Sequence, residues 1–231
     1  MRKQIAFLFC TFSFSFYTFI HAQNITTVVG NVVSGGISGG GYSGDGGPAT
    51  AAELSAPYGV AFDAAGNMYI ADDVNNVIRE VDQSTGNIST VVGNTISGGA
   101  AGGGYSGDGG PATAAEIHGP ACVVFDASGN MIIADADNHV VRKVDHSTGI
   151  ITTIAGNHTN GYNGNGGAAT AAELSYPTGI AFDAGGNLYI AEHGNNVIRE
   201  VDNSNGIIST FAGNHISGYY GDGGPATAAE L

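Results

Sequence analysis

The chain has 231 residues, 39 of them glycine, and its 20 Asp and Glu residues against six Lys and Arg give a formal net charge of −14. Because neutralising phosphate requires Lys and Arg, this balance excludes nucleic acid as the expected partner and disfavours an anionic membrane surface. The 42% hydrophobic content, arranged as β-branched runs between glycine-rich turns, indicates a packed all-β protein.

The first 22 residues have the layout of a secretory signal peptide. Arg2 and Lys3 precede an apolar run from residue 5 to residue 20, and Ala22 offers a cleavage site. A membrane anchor is the alternative, but the run is shorter than the roughly 20 apolar residues that a spanning helix needs, and Ser and Thr interrupt it. We therefore expect a mature chain without a membrane span that is secreted, periplasmic or on the cell surface.

A glycine-rich segment recurs four times and divides the rest of the chain. Its copies occupy residues 41–54 (GYSGDGGPATAAEL), 104–117, 161–174 and 218–231. Repeats at such long periods are typical of propellers and solenoids. We call the copies crossover segments 1 to 4, because each is expected to lead from the outer strand of one blade to the inner strand of the next.

Four short strand patterns follow each of the first three crossover segments. In the first unit, residues 58–62 and 68–71 are apolar on both faces, residues 77–81 have mixed polarity, and residues 88–92 alternate apolar with hydroxyl side chains. This rise in polarity is typical of a propeller blade, whose inner strand is covered by neighbouring blades while its outer strand meets water. The sequence predicts one domain over residues 23–231, with full units at about 54–94, 117–157 and 174–214 and partial pieces at 24–31 and 218–231.

These units resemble the NHL repeat. The resemblance rests on YGVAFDAAGNMYIADDVNNVIREVD at residues 58–82, and on IADADNHVVRKVD and IAEHGNNVIREVD in the next two units. The inserted GDGGPAT segment resembles that of the secreted bacterial form. The resemblance implies a β-propeller of usually six blades, made of four-stranded antiparallel sheets and most often used as a binding scaffold.

Three full blades leave two apolar blade faces in water, because a propeller needs about four to eight blades to close. We therefore expect the chain to be the N-terminal part of a longer ring, in which residues 25–29 complete the last blade. Assembly of several chains into one ring, through self-association, is the alternative.

The crossover segments and the loops between second and third strands are expected to emerge on one face of the propeller and form an acidic binding rim. The predicted rim residues are Tyr42, Asp45, Asp72, Asp73, Tyr105, Asp108, Asp135, Asp137, Tyr162, Glu192 and His193. The expected partner is a protein or a glycan, and no catalytic residue is assigned. The alternatives are a propeller-type hydrolase or lyase with a metal at the central channel, and a sensor or stalk module of a larger cell-envelope protein.

Two further groups of residues recur from unit to unit. Arg79, Arg142 and Arg199 share one strand position, and an acid within reach of each predicts a structural ion pair. The Asp–Gly–Gly of a crossover segment offers oxygens suited to Ca²⁺, but each copy has at most one carboxylate there and the third has Asn165. We therefore assign no metal or cofactor, with Ca²⁺ as the alternative, and expect Asp45 to cap a short helical turn from Pro48 to Leu54.

Overall fold

The computed structural model describes residues 26–31, 41–94 and 103–231. The predicted signal peptide lies outside these ranges. No helix within them is long and apolar enough to cross a membrane.

Three antiparallel sheets follow one another along the chain and form three blades. Blade 1 contains β1 (Pro57–Phe62), β2 (Met68–Asp72), β3 (Val77–Val81) and β4 (Ile88–Val92). Blade 2 contains β5 (Pro120–Phe125), β6 (Met131–Asp135), β7 (Val140–Val144) and β8 (Ile151–Ala155). Blade 3 contains β10 (Pro177–Phe182), β11 (Leu188–Glu192), β12 (Val197–Val201) and β13 (Ile207–Ala212), with the two-residue β9 (Gly167–Ala168) at its outer edge. Strands pair in chain order within each blade, which confirms the predicted all-β fold of four-stranded antiparallel blades.

Local side-chain chemistry closes the turn between the first and second strands. Oδ1 of Asp63 accepts hydrogen bonds from the backbone N–H groups of Ala65 and Asn67, both at 2.9 Å. Asp126 and Asp183 do the same in the other blades. Aspartate at the start of a tight turn stabilises it through such bonds, so each hairpin is specified by residues close in sequence.

The crossover segments lie along the outer edge of the blades. The N–H of Gly46 donates to the carbonyl of Ile88, and the N–H of Ile88 donates to the carbonyl of Gly47. In crossover segment 3, β9 pairs with β13. Crossover segments 1, 2 and 3 thus each cover the free edge of a fourth strand, which would otherwise expose unpaired backbone groups. Backbone pairing thus holds these segments against the sheet edge, and their predicted role in a binding rim stays a prediction.

The helical turn predicted within each crossover segment is a single 3₁₀ turn. These turns occupy Ala49–Ala51, Ala112–Ala114, Ala169–Ala171 and Ala226–Ala228, and a further 3₁₀ turn spans Ala136–Asn138 in the loop between β6 and β7. The residue at the N-cap of the first turn is Pro48, and no side chain caps it. The predicted capping role of Asp45 is therefore wrong.

Apolar side chains from adjacent blades form two cores. The core between blades 1 and 2 includes Ile117, Ile133 and Ile151, which are almost fully buried. The core between blades 2 and 3 includes Leu174 and Ile190. Burying each such side chain contributes about 1.5–3 kcal/mol, so these cores hold the blades together.

The innermost strands of adjacent blades approach closely. A Cβ atom placed on Gly59 of β1 would lie 2.6 Å from the carbonyl oxygen of Ala121 in β5. On the opposite, outward face of blade 1, Val60 is 59% exposed, whereas the matching Val123 of blade 2 is 1% exposed. The face of blade 1 that lacks a described neighbour is therefore apolar and open to water.

Residues 26–31 contact crossover segment 1. The N–H of Gly30 donates to the carbonyl of Ala49, as the N–H of Gly93 after β4 donates to Ala112. This segment therefore occupies the place of the end of a fourth strand, although it forms no strand itself. The role of residues 25–29 in closing a ring stays a prediction.

Candidate functional site

A buried arginine organises each blade. In blade 1 the side chain of Arg79 is fully buried, and its Nη2 donates to Oδ1 of Asp45 at 2.7 Å and to the carbonyl of Ser43 at 3.1 Å. Its Nη1 donates to the carbonyl of Glu53 and lies 3.5 Å from Oδ2 of Asp72. The guanidinium thus bonds both arms of crossover segment 1 and a carboxylate of β2, using its planar fork of donors.

An aromatic ring and an amide complete this arrangement. The guanidinium carbon of Arg79 lies 4.9 Å from the centre of the Tyr42 ring, and the Tyr42 hydroxyl bonds Oδ2 of Asp45 and Oγ1 of Thr90. Asn75 donates to Asp72 and to the carbonyl of Gly41. We call Arg79 with its partners, and the equivalent sets around Arg142 and Arg199, the arginine clusters.

Burial and charge act in opposite directions on the two carboxylates of a cluster. Burial raises the pKa of Asp72, against the hydrogen bonds from Asn75 and Ser55 and the charge of Arg79. For Asp45, burial is outweighed by the hydrogen bond from Tyr42 and the charge of Arg79, which hold its pKa below the usual range. In blade 2, burial raises the pKa of the fully buried Asp135 to about 7.

The cluster of blade 3 lacks one of its carboxylates. Asn165 stands where the other blades have Asp45 and Asp108, and it donates to the Tyr162 hydroxyl instead. Arg199 keeps an ion pair with Glu192 at 3.2 Å. Among the described residues Nε is buried without a hydrogen-bond partner in all three arginines, but Nη2 lacks a partner only in Arg199. The third arginine is therefore held less firmly than the other two.

Most of the predicted rim residues belong to these clusters. Asp72, Asp135 and Glu192 are at most 1% exposed, so their assignment to an exposed rim is wrong: each packs beside a buried arginine. Five others, all in the crossover segments, bond or stack within a cluster. They are Tyr42, Asp45, Tyr105, Asp108 and Tyr162.

The three remaining predicted residues lie in the loops between second and third strands. Asp137 and His193 are exposed, and Asp73 is half-buried. His118 precedes β5, and its Nε2 lies 3.6 Å from Oδ2 of Asp137 in the loop of the same blade. We call Asp73, His118, Asp137, His139 and Tyr176 the loop cluster.

Charges within the loop cluster influence one another. Burial raises the pKa of Asp73, the charge of Asp137 raises it further, and His118 opposes both. This mutual influence places side chains from blades 1 and 2 in one electrostatic unit. The cluster presents carboxylates, imidazoles and a 41% exposed tyrosine ring on one surface, where a ligand can reach them.

His139 connects blade 2 to blade 3. Its Nδ1 accepts a hydrogen bond from the backbone N–H of Tyr176 at 3.2 Å, and the two rings meet edge to face at 4.7 Å. At the preceding junction Asn76 takes the same place, and its Oδ1 accepts from the N–H of Gly119 at 2.9 Å. Burial lowers the pKa of His139, which favours the neutral ring that this bond requires.

Sequence reasoning missed two kinds of residue that hold the clusters together. Asn75, Asn138 and Asn195 bond the buried carboxylates, and Thr90, Thr153 and Thr210 bond the tyrosine hydroxyls. Each set recurs at one position of the unit, and that recurrence was the available signal. Within residues 26–31, 41–94 and 103–231, no group of three or more His, Cys, Asp or Glu side chains is arranged to hold a metal ion.

Comparison with known proteins identifies the repeat. The model of the teneurin NHL domain matches residues 21–100 and 159–222. Protein SUPPRESSOR OF QUENCHING 1, chloroplastic, from Arabidopsis thaliana is 28% identical over 145 residues, which cover 60% of this chain and 13% of that protein.

Two solved structures from Bacteroides thetaiotaomicron share the fold. A protein of unknown function has a TM-score of 0.58 and 20% identity, over 76% of this chain and 40% of that one. An auxiliary nutrient binding protein has a TM-score of 0.51 and 16% identity, over 74% of this chain and 39% of that one. This chain thus spans less than half the length of either protein. The blade architecture and the family match over more than half of its residues show that the chain belongs to the NHL-repeat family of β-propellers, in the form represented by the teneurin NHL domain.

Proposed function

We propose that this chain is a secreted, non-enzymatic propeller module that binds a protein or glycan through the loop cluster. The proposal rests on a difference between the residues that recur in every blade and those that vary from blade to blade. The charged residues that recur in the blades, above all the arginines and their buried carboxylates, are bonded to one another and hold the crossover segments. They stabilise the scaffold and are not free to engage a ligand.

The two residues that follow the buried carboxylate, in the loops between second and third strands, differ from blade to blade. The residue after the buried carboxylate is Asp73 in blade 1, Ala136 in blade 2 and His193 in blade 3, and the next residue is Val74, Asp137 or Gly194. A constant framework with variable loops supports recognition of a ligand, because rigid elements position loop side chains without a large entropic cost on binding.

The negative charge of the chain limits which partners it can bind. After removal of the predicted signal peptide, four basic residues remain against 20 acidic ones. The loop cluster itself contributes Asp73 and Asp137. A protein with a basic surface, or a neutral glycan, suits this surface, whereas a polyanion is repelled. The extracellular location rests on the N-terminal basic residues and apolar run.

The test compares two pairs of substitutions that remove the same charge. The full chain is screened against protein and glycan arrays, and the ligands found are titrated against D73N/D137N and against D222N/E230Q. Asp222 and Glu230 lie in crossover segment 4, outside the loop cluster. We expect D73N/D137N to weaken binding about tenfold or more, the effect of losing contacts to charged groups, while the control binds as the unmodified chain does. Equal weakening by both variants would show a general charge effect and contradict the proposal.

A further inference from the structure

A cleft between blades 1 and 2 lies apart from the loop cluster. It has a volume of about 350 Å³, within the range of small-molecule sites. Strands β2 and β3 of blade 1 contribute Tyr69 and Glu80, and blade 2 contributes Phe125, Met131 and the turn that contains Asp145 and His146. Side chains from two blades and from two kinds of element therefore line one cavity.

One wall of the cleft carries a carboxylate beside an aromatic hydroxyl. The Tyr69 hydroxyl donates to Oε1 of Glu80 at 3.0 Å and approaches Oδ2 of Asp63 at 3.3 Å. Burial, then the charges of Glu80 and Asp63, raises the pKa of Tyr69, so the phenol stays a proton donor. Negative charge is thereby concentrated at this end of the cavity.

The rest of the lining combines an apolar surface with a second carboxylate. Phe125 meets the Tyr69 ring edge to face at 4.8 Å, and Met131 lies beside it in the lining. Hydrogen bonds from Ser147 and Thr148 lower the pKa of Asp145 to about 2, so its carboxylate is ionised at any physiological pH. The lining contains no Lys or Arg, and His146 is its one basic side chain.

At the junction between blades 2 and 3, the position equivalent to Glu80 carries a positive charge. Tyr69 and Glu80 are cross-strand partners in blade 1, and the corresponding partners in blade 2 are Ile132 and Lys143. In blade 3 they are again Tyr189 and Glu200. The tyrosine–glutamate pair is therefore no requirement of the blade fold, since blade 2 folds without it.

We propose that this cleft binds a small organic cation. The ammonium group is attracted by the carboxylates of Glu80 and Asp145, and an apolar or aromatic body packs against Phe125 and Met131. Aromatic rings and carboxylates together favour a cation with a hydrocarbon body over an inorganic ion, because the rings add cation–π and apolar contact while a bare ion prefers its hydration shell. The site is independent of ligand binding at the loop cluster.

The test uses matched aromatic probes and matched substitutions. The full chain is titrated calorimetrically with benzyltrimethylammonium, benzyl alcohol and benzoate. A pH of about 8 is used, because an ordinary histidine is uncharged there. We expect the cation to bind one saturable site. The neutral and anionic probes are expected to bind at least about tenfold more weakly than the cation, because they lack the charged contact.

Glu80→Lys and Glu200→Lys make the same change at equivalent positions, but Glu200 does not line the cleft. We expect the first to reduce affinity for the cation about tenfold or more and the second to leave it within about twofold. If Glu80→Lys unfolds the chain, the pair Glu80→Gln and Glu200→Gln gives the same comparison with similar side-chain size. Equal affinity for all three probes, equal loss in both variants, or no saturable binding by the unmodified chain would overturn the proposal.

Discussion

The Nη2 atom of Arg142 donates a 2.6 Å hydrogen bond to Oδ1 of Asp108, and this pair holds crossover segment 2 against blade 2. The matching residues of blade 3 are Arg199 and Asn165, and there Nη2 of the arginine is buried without a partner among the described residues. The same backbone is thus held by a complete cluster in one blade and by an incomplete cluster in another.

We expect Asn165→Asp to stabilise the chain by restoring this carboxylate. The restored charge-assisted hydrogen bond to the buried guanidinium is expected to contribute about 1 kcal/mol to stability. This value is below that of a fully buried bond, because the acid side chain is partly exposed. Urea denaturation measures the change. Asp108→Asn, which creates the blade 3 arrangement in blade 2, serves as the inverse control and is expected to destabilise by a similar amount. A lower stability for Asn165→Asp would contradict this account of the cluster.

Arg142→Leu is expected to destabilise the chain by about 3–5 kcal/mol, because it leaves Asp135 buried without a counter-charge. Arg142→Lys keeps the charge but not the fork that reaches Asp108, Ser106 and Glu116 together, so we expect a smaller but clear loss. Lys143→Ala, at the next position of β7, is the control and is expected to change stability by about 0.5 kcal/mol or less. Similar losses for Arg142→Leu and Lys143→Ala would show that the arginine is not central to the blade.

Substitutions at two glycines of crossover segment 2 distinguish destabilisation by steric crowding from destabilisation by backbone strain. Both have a positive φ, +89° at Gly107 and +83° at Gly109, but a Cβ atom on Gly107 would lie 2.6 Å from Cα of Ala115, whereas one on Gly109 meets nothing within 4 Å. We expect Gly109→Ala to cost about 1–2 kcal/mol, the strain of the left-handed conformation, and Gly107→Ala to cost clearly more. Thermal unfolding of both variants checks the difference. Equal losses would mean that the two arms of the segment do not pack as closely as this geometry requires.

Protonation of His139 is expected to weaken the junction of blades 2 and 3. Burial lowers its pKa below the ordinary value of 6.5, and the charges of His158 and His118 act in the same direction, against that of Asp137. The unfolded chain then binds the proton more tightly than the folded chain. The contribution of His139 to stability is therefore fully present above pH 6.5 and is lost as the pH falls through the lower folded-state value.

His139→Asn isolates this effect, because Asn76 accepts the equivalent bond at the other junction. We expect the free energy of unfolding of the variant to decline less than that of the unmodified chain between about pH 7 and pH 5. Denaturant titrations at several pH values give both curves. Parallel curves would show that the bond to Tyr176 does not depend on the protonation of His139.

Much of the blade could be predicted because its signals are local. The run from Tyr58 to Phe62 is apolar on both faces, and Asp63 bonds backbone groups within the next four residues, so strand and turn follow from neighbouring residues. The position of the arginine in the unit likewise indicated an acid partner. Exposure was harder to predict: Asp72 and Asp73 are adjacent in the sequence, yet the first is buried and the second half-buried.

The sequence by itself determined the four strands of each blade and their order, the turns between them and the family of the repeat, because alternation of polarity and turn chemistry act over a few residues. Only the tertiary structure decided where the crossover segments lie and which carboxylates remain available to a ligand. Asp45 meets an arginine 34 residues away, and Gly46 pairs with a strand that begins at Ile88. The glycine-rich part of a segment has no apolar side chains to specify its place, so long-range backbone bonds and a buried guanidinium specify it, while the apolar end of the segment, Ile117 in segment 2, packs in the core.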